Sequence, residues 1–261
     1  MLAEWFAYLT TPCPRYLRRA GYLREAIGTR SRFRRCHEAW QPHLRKTKAA
    51  ILAAAQRTPN RRKAVVLGSG WLYDVPLEEL SALFGEIVLA DILHMPEARR
   101  TAARYPNVRL LSADVTDAIK PGSVPFSRDP KLPDLADSLP EADADLVVSA
   151  NLLSQIPYLP MRALRRNAPT LTAPEIDVVA RALIDNHLHL LDAVPGTVCL
   201  VTEVEHLYCD GETVLDRDDP LHGVHPGPPD GEWFWDIAPR PELGRAVDLR
   251  YRVISRITNA S

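Results

Sequence analysis

Residues 63–95, KAVVLGSGWLYDVPLEELSALFGEIVLADILHM, decide the fold of this chain. An apolar run at 64–67, rich in β-branched residues, ends at a Gly-Ser-Gly turn, and a helical pattern follows over about 75–84. A second apolar run at 87–90 ends on Asp91. The order of strand, glycine turn, helix, strand and acid predicts the first βαβ unit of a nucleotide-binding α/β domain.

Each part of this unit has a physical role at a ligand site. Gly68 and Gly70 permit a positive φ and let a ligand approach the backbone closely. Asp91 follows Gly68 at close to the spacing expected of an acid that accepts hydrogen bonds from ribose hydroxyls. Asp74, just before the helical pattern, is predicted to be the N-cap of that helix. The alternative interpretation is a tight turn in an α/β core that binds no ligand.

Composition is that of an ordinary globular protein. The chain has 261 residues, of which 46% are hydrophobic and 25% charged, so one main domain with a full core is expected. No apolar run approaches the ~18–20 residues of a membrane span, and acids, prolines and arginines interrupt the first twenty residues, so neither a span nor a signal peptide is expected. Four cysteines without metal-ligand spacing predict reduced thiols, no metal and a cytoplasmic location.

Charge is distributed unevenly along the chain. Residues 1–63 carry 15 Lys and Arg against three acids, although the net charge of the whole chain is only −1. The favoured interpretation is a basic helical layer that docks on an acidic main domain. A surface for nucleic acid or another polyanion is the alternative. A helical cap of this kind often covers a cleft or mediates dimerisation, so a homodimer remains open.

The rest of the chain continues the alternation of helices and strands. We expect residues 1–60 to form an N-terminal basic helical cap and residues 61–261 to form the main domain. A Pro-rich stretch at 118–143 is long for a connection and is expected to be functional or mobile. The remaining predictions are helices near 2–9, 16–27 (ended by Gly28), 33–56, 96–104 and 174–194, strands at 108–112, 145–150, 197–207 and 247–257, and a loop at 210–240.

This pattern, over about residues 60–260, resembles the class I S-adenosylmethionine-dependent methyltransferases. The resemblance implies a Rossmann-like doubly wound α/β sheet, mostly parallel with an antiparallel C-terminal strand, here with the helical cap added. It also implies S-adenosyl-L-methionine as cofactor and a small molecule as methyl acceptor. The cofactor-binding residues that it implies are Gly68, Ser69, Gly70, Trp71, Leu72, Asp91, Ile92, Asp114, Val115, Ser149, Ala150 and Asn151.

The glycine turn departs from the family's usual pattern at two positions. Val66 stands where the family commonly carries an acid, and Leu72 replaces the third glycine of GxGxG. The turn GSGWLYDVP has some likeness to the GSGPLP turn of nicotianamine synthases, which use the same cofactor differently. These departures point to a divergent branch of the family.

Candidate catalytic residues follow the fourth strand and the apolar core of the fifth, since ligands of open α/β sheets sit at the carboxyl ends of the strands. Asn151 is expected to form the cleft floor, and His206 is the preferred titratable base, although a structural histidine at a strand end is the alternative. Glu203 is the third candidate, and simple alternation puts it on one face with Glu205 and puts His206 on the other. The aromatic run 233–235 is predicted to be either a substrate wall or a hydrophobic seal.

Two other classes of function remain open at this point. An NAD-dependent oxidoreductase would use Asp91 equally well, but Tyr73 replaces the third glycine of GxGxxG and no YxxxK pair is present. A non-catalytic methyltransferase-like module with a basic partner-binding surface is the other alternative, and Val66 and Leu72 support it.

Overall fold

The computed structural model describes residues 2–116 and 136–259, with side chains described from residue 4 onward. The first eighteen residues of the predicted Pro-rich interruption, 118–135, lie outside the described residues. Its remaining part runs into the fourth strand. The helices are α1 Leu2–Thr10, α2 Arg15–Ala20, α3 Tyr22–Arg35, α4 His37–Arg57, α5 Leu77–Leu83, α6 Pro96–Ala102, α7 Tyr158–Asn167 and α8 Ala173–Asp192, with a 3₁₀ turn at Leu153–Gln155. The strands are β1 Lys63–Leu67, β2 Glu86–Asp91, β3 Val108–Ser112, β4 Leu146–Ala150, β5 Thr197–Asp210, β6 Thr213–Asp218, β7 Gly231–Ala238 and β8 Asp248–Thr258.

The strands form one sheet in the order β3-β2-β1-β4-β5-β8-β7. Strands β1 to β5 are parallel, with Val65 of β1 opposite Val88 of β2 and Val147 of β4. The C-terminal strand β8 runs antiparallel to both of its neighbours, β5 and β7. The predicted Rossmann-like sheet with an antiparallel C-terminal strand is therefore confirmed. The strand order reverses between β1 and β4, and ligands of such sheets bind in the crevice at that point.

The predicted loop at 210–240 is wrong in part, because it contains β6 and β7. Strand β6 pairs only with β5, as the second arm of a hairpin, and all six of its residues are exposed. An exposed hairpin arm needs no apolar face, so its sequence carries no hydrophobic alternation. In β7 the buried Trp233, Trp235 and Ile237 alternate with Phe234 and Asp236, but the strand stands in a stretch rich in Pro, Gly and His and was therefore predicted as loop.

Two predicted helix boundaries are also wrong. Gly28 does not end a helix; it lies inside α3, and Gly21 separates α2 from α3 with φ at +104°. The atom nearest to a Cβ added at Gly21 is Nη2 of Arg162, the end of a flexible side chain that can move away, so the positive φ is what favours glycine here. Asp74 does not cap α5, which begins three residues later behind Pro76 without a side-chain cap. The tertiary partner of Asp74 lies in the cleft described below.

The sheet is covered on both faces. Ala64 and Val66 of β1 face the layer that contains α4 and α5, and Val65 and Leu67 face the layer that contains α7 and α8. This alternation explains why β1 reads as a continuous apolar run: both of its faces are buried. Helix α4 contributes a stripe of buried residues to the first layer, namely Trp40, His43, Leu44, Thr47, Ile51, Ala54 and Ala55.

Ion pairs join the basic N-terminal helices to the rest of the chain. Arg30 of α3 lies 2.6 Å from a carboxylate oxygen of Glu97, and Arg35 lies 2.5 Å from Glu242. In the opposite sense, Arg162 of α7 lies 2.7 Å from Glu25 of α3. Each pair is partly exposed and worth at most about 1 kcal/mol, but together they fit a basic layer docked on an acidic domain.

Candidate cofactor and substrate cleft

A cavity of about 530 Å³ opens at the carboxyl ends of β1, β2, β3 and β4, beside the middle of β5 and under the N-terminal helices. Its volume is in the range of small-molecule sites. Eleven of the residues predicted for the site line it: Gly68, Ser69, Gly70, Trp71, Asp91, Ile92, Asp114, Val115, Ala150, Asn151 and Glu203. The predicted crevice is therefore present, and the N-terminal helices form its other wall through Tyr22, Glu25, Ala26, Thr29, Arg32, Trp40, His43 and Leu44.

The glycine turn has the backbone conformation that its sequence suggests. Gly68 and Gly70 have φ of +67° and +53°. A Cβ at Gly68 would lie 2.9 Å from Cδ1 of Leu152, so the turn also leaves no room for a side chain there. The hydroxyl oxygen of Ser69 is buried and makes no hydrogen bond to any described residue. A buried polar atom without a partner is costly, and a polar group of a ligand would satisfy it.

Asp91 is fixed at the end of β2 by the glycine turn. Its Oδ2 accepts a hydrogen bond from the Gly70 N–H at 2.7 Å, and its Oδ1 accepts one from the Leu93 N–H at 3.0 Å. Burial raises the pKa of this carboxyl, and the two backbone hydrogen bonds oppose the rise. Each carboxylate oxygen has a second lone pair, so both can still accept a ligand hydroxyl.

Asp114 lies in the same wall after β3. Its Oδ1 accepts the backbone N–H of Thr116 at 2.9 Å and the hydroxyl of Thr116 at 2.7 Å, which holds the turn after the strand. Tyr22 of α3 faces both acids: burial raises the pKa of its phenol far above the usual value, and the charges of Asp114 and Asp91 raise it further. The phenol is therefore a neutral hydrogen-bond donor beside the two acids.

Asn151, at the end of β4, connects the cleft floor to the cap. Its φ is +53°, which asparagine tolerates better than most residues. Its side-chain amide donates to Oδ2 of Asp74 at 2.6 Å and lies 3.2 Å from Nε2 of His43. Burial raises the pKa of Asp74, and the bond from Asn151 opposes the rise. The expected position of Asn151 at the cleft floor agrees with the structure.

His43 is a neutral imidazole in this cluster. Burial lowers its pKa to about 3. Its Nδ1 accepts the indole N–H of Trp233 at 3.1 Å, so the ring proton lies on Nε2, where the Thr47 hydroxyl, 3.5 Å away, can accept it; the Asn151 amide nitrogen is itself a donor and makes no hydrogen bond with this N–H. The ring also stacks on Trp235 with centroids 3.8 Å apart. These contacts hold α4 against β7 at the edge of the cleft.

A β-bulge overturns the predicted faces of β5. The register shifts between Glu203, which lies opposite Val253, and Glu205, which lies opposite Arg252. Glu203 therefore faces the cavity, whereas Glu205 points to the other face and pairs with Arg252 and Arg217. The extra residue reverses the alternation that the sequence suggests.

His206 lies on the same face as Glu203 but does not line the cavity. Its ring stacks on Tyr251 with centroids 3.8 Å apart, and Tyr251 separates it from the cavity. Burial lowers its pKa to about 4, against the opposing charges of Asp218 and Asp219. The geometry therefore favours the structural interpretation of His206 over the prediction that it is a base.

Two predicted cofactor-binding residues also lie outside the cavity wall. The hydroxyl of Ser149 points to the opposite face of the sheet and lies 3.0 Å from Nε2 of His187 on α8. Successive side chains of a strand point to opposite faces, and Ser149 belongs to the face of β4 that points away from the cleft. Ala150, the last residue of β4, and Asn151, just beyond the strand, line the cavity. Leu72, with φ of +63°, packs against the core instead. Trp71 does line the cavity, and its indole N–H donates to the Ala26 carbonyl at 2.9 Å, which ties the turn to α3.

The aromatic run in β7 divides between the two faces of the sheet. Trp235 lines the cavity, Trp233 is buried beside His43, and Phe234 is half exposed on the other face. Trp235 therefore forms part of the cavity wall, and Trp233, two positions earlier, belongs to the buried seal.

The cap residues of the cavity wall were not predicted from the sequence, among them His43, Trp40 and Tyr22. The helical spacing of Trp40, His43 and Leu44 marks a buried face of α4 and was the available signal. Nothing in the spacing shows which element that face covers, so the contact with β7 needed the tertiary structure.

Neither a metal cluster nor a membrane-spanning helix is found in the described part of the chain. No group of three or more His, Cys, Asp or Glu residues could hold a metal ion within residues 2–116 and 136–259. His222, in the Pro-rich loop, pairs with Asp177 of α8 instead. No helix of these same residues is long and apolar enough to cross a bilayer.

The strand order, the turn and the acid at the end of β2 define a Rossmann-like α/β domain with a ligand cleft, in agreement with the resemblance given above. No protein-family model matches the sequence, and no curated protein matches it.

Solved structures of S-adenosylmethionine-dependent methyltransferases are similar to this chain at low identity. The N-methyltransferase NodS of Bradyrhizobium japonicum is 13% identical, with 80% of this chain and 86% of NodS covered and a TM-score of 0.36. A 1,6-didemethyltoxoflavin-N1-methyltransferase of Burkholderia thailandensis is 15% identical, with 96% and 92% covered and a TM-score of 0.40. A methyltransferase of Leishmania major is 15% identical, with 96% and 81% covered and a TM-score of 0.38.

Proposed function

We propose that this protein is an S-adenosylmethionine-dependent methyltransferase that acts on a small molecule. The observation that carries the proposal is the single cavity that joins the Gly68–Gly70 turn, Asp91 and Asp114 to the end of β4 under a helical cover. Parallel sheets place ligands at this edge, and a ribose needs the acceptor that Asp91 provides there.

The residues present fit the proposed cofactor. Asp91 would accept the ribose hydroxyls, Asp114 would lie near the adenine, and the turn with Ala150 and Asn151 would hold the methionine part. The unsatisfied Ser69 hydroxyl and the open space over Gly70, whose added Cβ would meet nothing closer than 3.7 Å, leave room for a polar ligand. When bound, this cofactor supplies an electrophilic methyl group on a sulfonium.

Methyl transfer needs little from the protein beyond alignment and, for some acceptors, removal of a proton. The helices α3 and α4 cover one side of the cleft. Asn151, just beyond β4, and Glu203, midway along β5 and just past its pairing with β4, face the cavity where an acceptor would be positioned. Burial raises the pKa of Glu203, with the Ser154 hydroxyl opposing, which moves this carboxyl toward the range of a general base.

Two observations disfavour a dinucleotide oxidoreductase. A pyrophosphate binds where a helix N-terminus follows the glycine turn directly. Here α5 begins only at Leu77, and its first turn carries Glu78 and Glu79, which repel an anion. The intervening Tyr73 stacks on Phe33 of α3 with centroids 3.7 Å apart, so the turn leads into the cap instead of into a phosphate site.

Calorimetric titration with S-adenosylmethionine, S-adenosylhomocysteine and NAD tests the proposal. We expect micromolar binding of the two adenosyl compounds, weakened about 10- to 100-fold in Asp91→Asn because hydrogen bonds to a charged group are worth about 1.5–3 kcal/mol. Asp185→Ala, at an exposed position on α8, is the control and is expected to bind like the original protein. Binding of NAD alone would establish an oxidoreductase. No binding of any of the three would establish the non-catalytic module.

The cytoplasmic location remains part of the proposal. It is supported by the four cysteines, all of which are free thiols in the structure. Nucleic-acid binding by the basic segment is disfavoured, since several of its arginines pair with acids of the same chain. A gel-shift assay with RNA and DNA at two salt concentrations tests nucleic-acid binding, and binding that weakens as the salt concentration rises would support it.

A further inference from the structure

An aromatic wall encloses the part of the cavity that lies farthest from Asp91. Trp235 of β7 is in edge contact with Trp40 of α4 at 4.9 Å between centroids, and with Tyr251 of β8 at 5.7 Å. All three line the cavity. In the sheet order Tyr251 lies four strands and Trp235 five strands from Asp91, roughly 19 Å or more at the usual spacing between strands. The proposed cofactor residues are therefore at one end and these rings at the other.

A buried carboxyl group faces the same end. Glu203 is only 4% exposed, and its Oε2 makes no hydrogen bond to a described residue. Its electrostatic effect reaches Tyr251, whose phenol pKa is raised first by burial and then by this charge. The β-bulge after Glu203 turns Glu205, which has two arginine partners, to the opposite face. No cation of the described residues forms an ion pair with Glu203.

Other charged groups near this end contact partners within the protein, although Arg32 shares the carboxylate of Glu242 with Arg35. Arg32 of α3 also lines the cavity, but it lies 3.5 Å from a carboxylate oxygen of Glu242. Asp74 accepts a hydrogen bond from the side-chain amide of Asn151. Among the described acids of this end, Glu203 is the one with a buried carboxylate oxygen that makes no hydrogen bond, and because burial raises its pKa, a bound cation would stabilise its charged form.

We propose that this end of the cavity is the acceptor subsite and binds an organic ammonium group, with Glu203 as its counter-ion and Trp235, Trp40 and Tyr251 around its apolar part. A carboxylate beside aromatic faces favours a cation both by direct charge and by cation–π attraction, which reaches about 2 kcal/mol when desolvated. A carboxylate-bearing ligand would be repelled, and a neutral ligand would leave Glu203 unpaired. The assignment of this site as the acceptor subsite rests on the proposed function, whereas the binding of an ammonium group does not.

Calorimetric titration with benzylamine, benzyl alcohol and benzoate tests the ammonium site without any cofactor. The three probes share one ring and differ in charge. We expect benzylamine to bind at least tenfold more tightly than benzyl alcohol, and benzoate not to bind. Glu203→Gln should reduce the preference for the amine at least tenfold, and the matched variant Glu205→Gln, two residues along the strand on the other face, should keep it. Trp235→Leu should weaken both benzylamine and benzyl alcohol.

Equal binding of amine and alcohol, no amine binding, or an unchanged preference in Glu203→Gln would overturn the proposal. Discrimination between the probes by the unaltered protein decides the matter even where Glu203→Gln fails to fold. A second titration of benzylamine into protein saturated with S-adenosylhomocysteine locates the site. Independent binding is expected, and competition would overturn the assignment as acceptor subsite. Failure of the proposed function would appear separately, as absent S-adenosylhomocysteine binding with amine discrimination retained.

Discussion

The pH dependence of stability should reveal the buried His187–Ser149 contact beneath β4. His187 is 1% exposed, and its Nε2 lies 3.0 Å from the Ser149 hydroxyl. Burial lowers the pKa of His187 to about 4, whereas an unfolded histidine titrates near 6.5. Between these values the unfolded chain binds a proton that the folded chain does not. The stability contributed by neutral His187 is therefore complete above about pH 6.5 and is lost as the pH falls toward 4.

The size of this effect follows from linkage. A shift of this size corresponds to about 3 kcal/mol over the full range, and to about 1.2 kcal/mol between pH 6 and pH 5. His43 and His206, whose pKa values burial also lowers, to about 3 and about 4, contribute in the same direction. The difference between the original protein and His187→Gln removes these shared contributions and leaves the part due to His187.

Urea unfolding at pH 6 and pH 5 measures this difference. We expect the unfolding free energy of His187→Gln to fall about 1.2 kcal/mol less over this interval than that of the original protein. The control is His189→Gln, on the exposed side of the same helix, which should keep the original pH dependence. An identical fall in His187→Gln and the original protein would refute the neutral buried histidine, and with it the placement of Ser149 away from the cleft.

Two further substitutions test the packing of the protein, one at the start of β5 and one in the cavity wall. Gly196→Ala should lower the unfolding free energy by about 1–3 kcal/mol or more, because the added Cβ would lie 2.3 Å from the Ala144 carbonyl oxygen; in the control Gly28→Ala, nothing lies within 4 Å and a gain of about 0.5–1 kcal/mol is expected. Trp40→Phe should cost about 1–3 kcal/mol in urea unfolding, because the indole N–H donates to the buried Ile237 carbonyl at 2.9 Å and phenylalanine would leave that oxygen unpaired. Unchanged stability in Gly196→Ala or Trp40→Phe would contradict the corresponding contact.

The first βαβ unit was predictable because its signals are local. A continuous apolar strand, glycines with positive φ and an acid at a strand end are each visible within a few residues. The structure confirms the glycine turn and adds a hydrogen bond from the Gly70 N–H to Asp91, which was not predicted. Strand β3 was predicted at its observed bounds, since Tyr-Pro-Asn before it and Ala-Asp after it mark both ends.

The faces of β5 were not predictable in the same way. Alternation assigns side chains correctly only while the register is unbroken, and one extra residue between Glu203 and Glu205 reverses it. A bulge has no reliable sequence signature, because it depends on how the neighbouring strand β8 pairs. The same holds for the Asp74–Asn151 bond, which joins residues 77 positions apart.

The sequence by itself determined the class of fold, the glycine turn, the acids at the ends of β2 and β3 and the basic character of the first sixty residues, because each depends on local pattern or composition. Only the tertiary structure decided that α3 and α4 form the second wall of the cleft, that His206 stands behind Tyr251 and that Glu203 faces the cavity. Those facts depend on packing between distant segments, where shape and register select among faces that the sequence leaves equivalent.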